Sequence, residues 1–425
     1  MGTKNILYLV ILTFLFLISF TSAASAASAA SAASTQRVDG QFTLIETQIT
    51  NNESAQIDPA IYGDRIVWQD ERNGNWDIYM YNLSISTETR ITTNESNQTE
   101  PAICGDRIVW QDEQNGNYDI YMYDLSTQKE SKITYESSDQ VNPAIYGDRV
   151  LWQDERNGNW DIYMYDLSTQ KETQITADRS NQTEPAIYGD RIVWQDNRNG
   201  KEIYLYELST PRMLFNMLWN HQNLDLFSLF SGFNQSKPHK IIKSLTSKET
   251  SITTYESDQY EPVAIYGNKI VWADRRNANL NNPSNLNALS NLDNPGIYMY
   301  DPSTSSEIRI TTGFTNDESN LLPTIYEKRI VWQDGRNGNC DIYMYDLSTS
   351  TETLITADES KQEMPSIYGD RIVWQDYRNG SPDIYMCTLT HANVKPLSFS
   401  NACTSGLNRI HEWIRFQMRN LLQFV

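Results

Sequence analysis

One polar cluster recurs along this chain. It reads Asp70, Arg72, Asn73, Gly74, Asn75 and Asp77, with equivalents at Asp154, Arg156, Asn157 and Asp161 and at Asp334, Arg336, Asn337 and Asp341. Carboxylates and amides at this density could hold Ca²⁺, which takes about six to eight oxygen ligands. The spacing is not that of the helix-flanked calcium loop, however, and each cluster sets an arginine among its acids, where it would oppose a metal. These residues instead read as a hairpin clamp, with the arginine bridging the aspartates and Asn-Gly making the turn. No metal and no cofactor is expected there.

Other chemistry has less to work with. The histidines are His221, His239, His391 and His411; none lies in a repeat core, and His221 and His239 are within an insertion. No G-x-S-x-G elbow occurs. Cys104, Cys340, Cys387 and Cys403 form no C-x-x-C pair, and three of them stand where other repeats carry an aromatic residue. Six N-x-[ST] sequons, at Asn52, Asn82, Asn94, Asn97, Asn181 and Asn234, are candidate glycan acceptors if the chain is exported.

The elements that must position these groups come from an internal repeat. The segment RIVW and its variants place tryptophan at 68, 110, 152, 194, 272, 332 and 374. The common spacing is 42, and the gaps of 78 and 60 are insertions within repeats. Each unit divides into four short strands. In the first these are a, Pro59 to Tyr62; b, Arg65 to Asp70; c, Asp77 to Leu83; and d, Glu88 to Thr92. Gly63-Asp64 and Asn73-Gly74 supply hairpin turns between them. Strands b and c are apolar on both faces, through Ile66, Val67 and Trp68 and then Ile78, Tyr79, Met80 and Tyr81. A sandwich strand alternates, whereas a propeller blade is covered by a neighbour on either side. The expected fold is therefore all-β: a seven-bladed propeller of four-stranded antiparallel blades over 41–399. The seventh unit lacks its d strand, and Leu44 to Thr50 matches it, so the N-terminal strand is expected to close the last blade. A local strand from Asn393 to Phe399 is the rival.

The segment WQDERNGNWDIYMYDLSTQKETQIT, with its D-x-R-x-G-x-x-[DE]-I-Y hairpin, resembles the repeat of TolB-type propellers, and the repeat as a whole resembles archaeal cell-surface proteins built from it. The likeness spans nearly all of 41–399. It implies a ring of blades around a channel, used mostly for protein partners.

Outside the ring, Lys4 followed by the apolar run Ile6 to Phe20 and by small residues reads as a signal peptide over 1–24. An Ala/Ser linker over 25–40 follows. A formal charge of −20 excludes nucleic acid as a natural partner. The insertion 211–246, in the c–d connection of blade four, carries Leu214, Phe215, Leu218, Trp219, Phe227 and Phe230, a candidate partner contact. A polar insertion over 278–295 enlarges the b–c loop of blade five. Apolar residues at helical spacing make 400–425 an expected short amphipathic helix. The functional expectation is an exported cell-surface or secreted scaffold. It would bind a protein or cell-envelope partner, with a membrane surface as a second contact for the insertion or the helix, and would have no catalysis of its own. Propeller enzymes either add a separate hydrolase domain or gather ligands at the channel mouth, and neither is evident in the sequence. The alternatives are a glycan-active lyase or hydrolase working at the channel mouth, or a structural envelope component.

Overall fold

The computed structural model describes residues 34–39, 41–114, 116–208, 248–253, 259–274, 296–311 and 321–391. The signal segment, both insertions with the candidate contacts from Leu214 to Phe230, Asn234, the strand proposed at Asn393 to Phe399 and the C-terminal helix lie outside them.

Seven sheets form, each an antiparallel meander of a, b, c and d. The a strands of successive blades neighbour one another around the ring, and that of blade seven returns to that of blade one. They therefore line the channel, as the propeller reading requires. Blade seven is closed from the N-terminus: Phe42–Gln48 pairs with Asp383–His391. A fifth strand, Ser34–Asp39, lies on its outer edge, so the expected linker ends before residue 34. The outward edge of Phe42–Gln48 offers unpaired backbone groups, and Ser34–Asp39 satisfies them.

The packing explains the two-sided hydrophobicity. Each of the seven repeated tryptophans is 0% exposed and stacks on the c-strand tyrosine of its own blade, as Trp68 does on Tyr79 with ring centroids 6.1 Å apart. Each core cluster joins two blades: Val67, Ile78 and Met80 of blade one meet Ile103, Ile108, Trp110 and Tyr121 of blade two. The last cluster sets Ile66, Trp68 and Tyr79 against Val373, Ile384 and Met386, closing the circle.

Two polar contacts also repeat between blades. The arginine that opens strand b reaches the a–b turn of the next blade, as Arg65 does with Gly105 O (2.9 Å) and Asp106 (2.7 Å) and Arg371 with Gly63 O (3.0 Å) and Asp64 (2.5 Å). A glutamine near the end of strand b accepts a backbone N–H from the next a strand, as Gln69 does from Glu100 at 3.0 Å. The junction from blade five to blade six can make neither contact. Lys269 stands for the arginine, Glu327-Lys328 for the Gly-Asp turn, and Ala273 for the glutamine. Glu327 also keeps the turn's left-handed backbone, at φ 53°, without being glycine. Restoring the turn and the arginine together (K269R, E327G and K328D) should stabilise the ring by about 1–2 kcal/mol, the worth of a charge-assisted hydrogen bond plus relief of that strain. An unchanged thermal melt would show that these junction contacts contribute nothing.

Candidate active site

The b–c hairpins are clamps centred on a buried aspartate. Asp70, fully buried, accepts from Trp68 Nε1 (3.0 Å), from the Arg72 backbone N–H (3.0 Å) and from the Arg72 guanidinium at Nε (2.9 Å) and Nη2 (2.5 Å). Arg72 then donates to Glu88 of strand d at 2.6 Å and lies 4.3 Å over the Tyr79 ring. Asp154–Arg156–Glu172 repeats this, as does Asp334–Arg336–Glu352. The arginine thus joins strand b to strand d and does not bridge the two aspartates. The second aspartate is held separately. Asp77 accepts from Asn73 at 2.8 Å and pairs with Arg90 at 2.8 Å, while Gly74, at φ 91°, makes the turn. Burial pushes the Asp161 and Asp341 carboxyls up, against hydrogen bonds led by Asn157 and Asn337 that pull them down. The oxygens that a cation would use are occupied by these donors.

The sequon asparagines have local partners too. The side-chain oxygens of Asn52, Asn82 and Asn94 accept from the backbone N–H two residues on, and those of Asn97 and Asn181 accept from Trp76 N and Trp160 N. Asp166 and Asp178 fill the same turn roles in blades three and four.

The channel holds groups that the sequence reading passed over. Strand a begins at Gln56, three residues before the expected Pro59, because a bulge carries it through the proline. In six blades the residue before the strand-a proline has positive φ: Asp58 and Glu100 (both 53°), Asn142 (53°), Glu184 (51°), Leu322 (40°) and Met364 (54°). Such backbone is costly outside glycine and persists only where the surroundings impose it. In five blades the glutamine of the preceding blade holds it, with Gln375, Gln69, Gln111, Gln153 and Gln333 accepting the bulge N–H of Asp58, Glu100, Asn142, Glu184 and Met364, while Leu322 keeps the same backbone with Ala273 in the glutamine's place. Counting by two along each a strand gives the inward positions. The bulge residues come first. Small residues follow, at Ala60, Ala102, Ala144, Ala186, Ala264, Thr324 and Ser366. The last position is Tyr62, Cys104, Tyr146, Tyr188, Tyr266, Tyr326 and Tyr368.

At the bulge end lies a cavity of about 270 Å³. Asp58, Glu100, Leu322, Met364 and the adjoining prolines line it. Its two sides differ. Asn142 donates to Glu184 (2.7 Å) and to Gln153 (2.8 Å), so those groups are tied to one another. Asp58 and Glu100 have no lysine or arginine ion pair among the described residues. Burial, and then the Glu100 charge, push the Asp58 carboxyl up to about 7. Glu100 is exposed at the channel, but the enclosing wall removes enough hydration to push its carboxyl up as well. Two neighbouring carboxyls of this kind, both pushed up by burial, offer a proton donor and a proton acceptor at the same place. The signal available in the sequence was the acid-Pro dipeptide in one register, at Asp58-Pro59, Glu100-Pro101 and Glu184-Pro185.

The ring is the fold of known enzymes. An oligogalacturonate lyase solved in complex with manganese superposes with a TM-score of 0.58 at 14% identity, over 84% of this chain and 96% of that one. A puromycin-hydrolyzing peptidase of Mycobacterium tuberculosis matches at 0.54 and 11% identity, over 81% of this chain and 54% of its own. TolB from Acinetobacter baumannii is also similar, at 0.45 and 14% identity, over 78% and 81%. No family model and no curated protein matches the chain. At these identities the likeness is one of fold. The expectation of a non-catalytic protein is corrected here. It held that a propeller enzyme needs a second domain or ligands evident at the channel mouth. The lyase matches over nearly its whole length, so a ring of this kind can make up almost an entire enzyme, and the mouth of this one holds a carboxyl pair.

Proposed function

We propose that this protein is a glycan-active enzyme that hydrolyses a neutral glycan at its channel mouth. The observation that carries the reading is Asp58, a carboxyl held up to about 7 beside Glu100 in a cavity. Asp58 in its protonated form gives its proton to the glycosidic oxygen. Ionised Glu100 takes a proton from water as that water's oxygen bonds to the anomeric carbon and the glycosidic C–O bond breaks. The acidic wall and the charge of −20 disfavour a uronate such as an oligogalacturonate, so the substrate is placed among neutral sugars. Leu322, Met364 and the prolines offer the apolar faces that sugar rings pack against. The signal-like segment from Lys4 to Phe20 supports work outside the cell, on envelope or external glycans.

The test is release of reducing ends from neutral gluco-, manno- and galacto-oligosaccharides. D58N and E100Q should each lose about 100-fold or more in rate while still folding cooperatively, with a melt at neutral pH no lower than that of wild type. The wild-type rate should fall as pH rises past about 7, where Asp58 loses its proton. Failure to cleave any of the panel, or a D58N variant as active as wild type, would overturn the reading.

A further inference from the structure

The inner ends of the a strands place tyrosine at every blade but one. Tyr146, Tyr188, Tyr266, Tyr326, Tyr368 and Tyr62 form an unbroken row, with successive ring centroids 4.5–4.7 Å apart and planes tilted by 46–51°. At this spacing the rings are in mutual van der Waals contact. Burial first, and then the neighbouring phenols, push the hydroxyls of Tyr62, Tyr146, Tyr266 and Tyr326 up. Cys104 alone stands between Tyr62 and Tyr146, and its sulfur accepts from Gly147 N at 3.4 Å. The layer above, toward the carboxyls, is of alanine, threonine and serine, and is therefore wider. The channel thus runs from an acidic mouth through a roomy waist to a floor of packed phenols.

We infer that the channel is a blind chamber floored by the tyrosine collar, so that it admits the terminal unit of a neutral glycan and not an internal stretch of chain. This rests on the proposed function and adds to it the way in which the substrate enters. An open passage or a surface groove would let a chain lie across the carboxyls with both ends outside. A closed floor requires an end. The cavity of about 270 Å³ is at the small end of ligand pockets, which suits one or two sugar rings. Phenol faces and hydroxyls at the floor offer a stacking surface and hydrogen bonds to such an end.

The experiment measures binding of linear gluco-, manno- and galacto-hexasaccharides to the full chain by calorimetry, each plain and each capped at both ends with a bulky aromatic group. Capping should weaken binding at least tenfold. A second readout needs no change in the collar. In a Cys403→Ser background the other described thiols, Cys340 and Cys387, are buried and their pKa values pushed up to about 12, which leaves Cys104 to react with a small methanethiosulfonate reagent. A bound hexasaccharide whose end reaches the floor should slow that reaction at least threefold. Equal binding of capped and plain sugars, or no protection of Cys104, overturns the blind chamber while leaving acid–base catalysis at Asp58 and Glu100 in place. Failure of every plain sugar to bind overturns the glycan reading and the inference with it.

Discussion

Deleting residues 34–50 should lower the melting temperature by ten degrees or more, or leave the protein aggregated. That stretch is the outer part of blade seven. Phe42 and Leu44 are 1% and 3% exposed and sit in the cluster joining blade six to blade seven. Removing either large side chain from a packed core typically costs about 2–5 kcal/mol. The polar contacts go with them. Glu46 gives Arg378 the strand-d carboxylate of the blade-seven clamp at 2.6 Å, the place Glu88 takes for Arg72. Thr50 accepts from Ile384 N at 2.8 Å, as Thr92 does from Ile78 N. The deletion also bares the edge of Asp383–His391, an apolar strand left free to pair with another chain. Whole domains are stable by only about 5–15 kcal/mol, so these losses together are of the size of folding itself. A melt within a few degrees of wild type, with the protein still monomeric, would mean that another segment closes the ring.

The second large effect is expected at the clamp. Asp154→Ala should cost about 3 kcal/mol or more. The carboxylate is buried and accepts from Trp152 Nε1 at 2.9 Å, from Arg156 N at 3.0 Å and from the Arg156 guanidinium at 2.9 and 2.5 Å. Its removal strands a buried indole N–H and leaves a partly buried arginine with only the exposed ends of Glu172 and Glu136. Blade two shows the milder case. Gln114 replaces the arginine there, and Trp110 Nε1 has no partner. Denaturant unfolding of D154A, R156A and the double variant would separate pair from parts. The double variant should be less destabilised than the sum of the singles. A loss below about 1 kcal/mol for D154A would remove the clamp from the account of stability.

Much of the ring was legible because its cause is local and repeated. The 42-residue period, the two-sided apolar strands around Trp68 and Ile78, and the Gly63-Asp64 turn each constrain a single blade. The missing strand of blade seven could be matched to Leu44 to Thr50 for the same reason. The site was less legible because it exists only once the ring has closed. Asp58 and Glu100 are 42 residues apart and become neighbours through the placing of two blades, not through any spacing that resembles a motif. Pro59 and Pro101 also read as strand starts, which hid the bulge that turns the preceding acids into the channel. The clamp arginine was misassigned in its second partner because Glu88 follows it by 16 residues, across a hairpin.

The carboxyl of Asp58 carries the proposed catalysis, and its titration can be followed directly by ¹³C NMR of the carboxyl carbon in the intact protein, with D58N used to assign the signal. A raised folded pKa means that the folded ring holds this proton more tightly than the unfolded chain does. Stability from this group is therefore full below the ordinary value of 3.8 and is lost as pH rises toward about 7. D58N should accordingly melt higher than wild type at pH 8 and no higher at pH 4. The account predicts a midpoint near 7 for the Asp58 signal, moving down when Glu100 is replaced by Gln. A midpoint near 4, unmoved by E100Q, would contradict it.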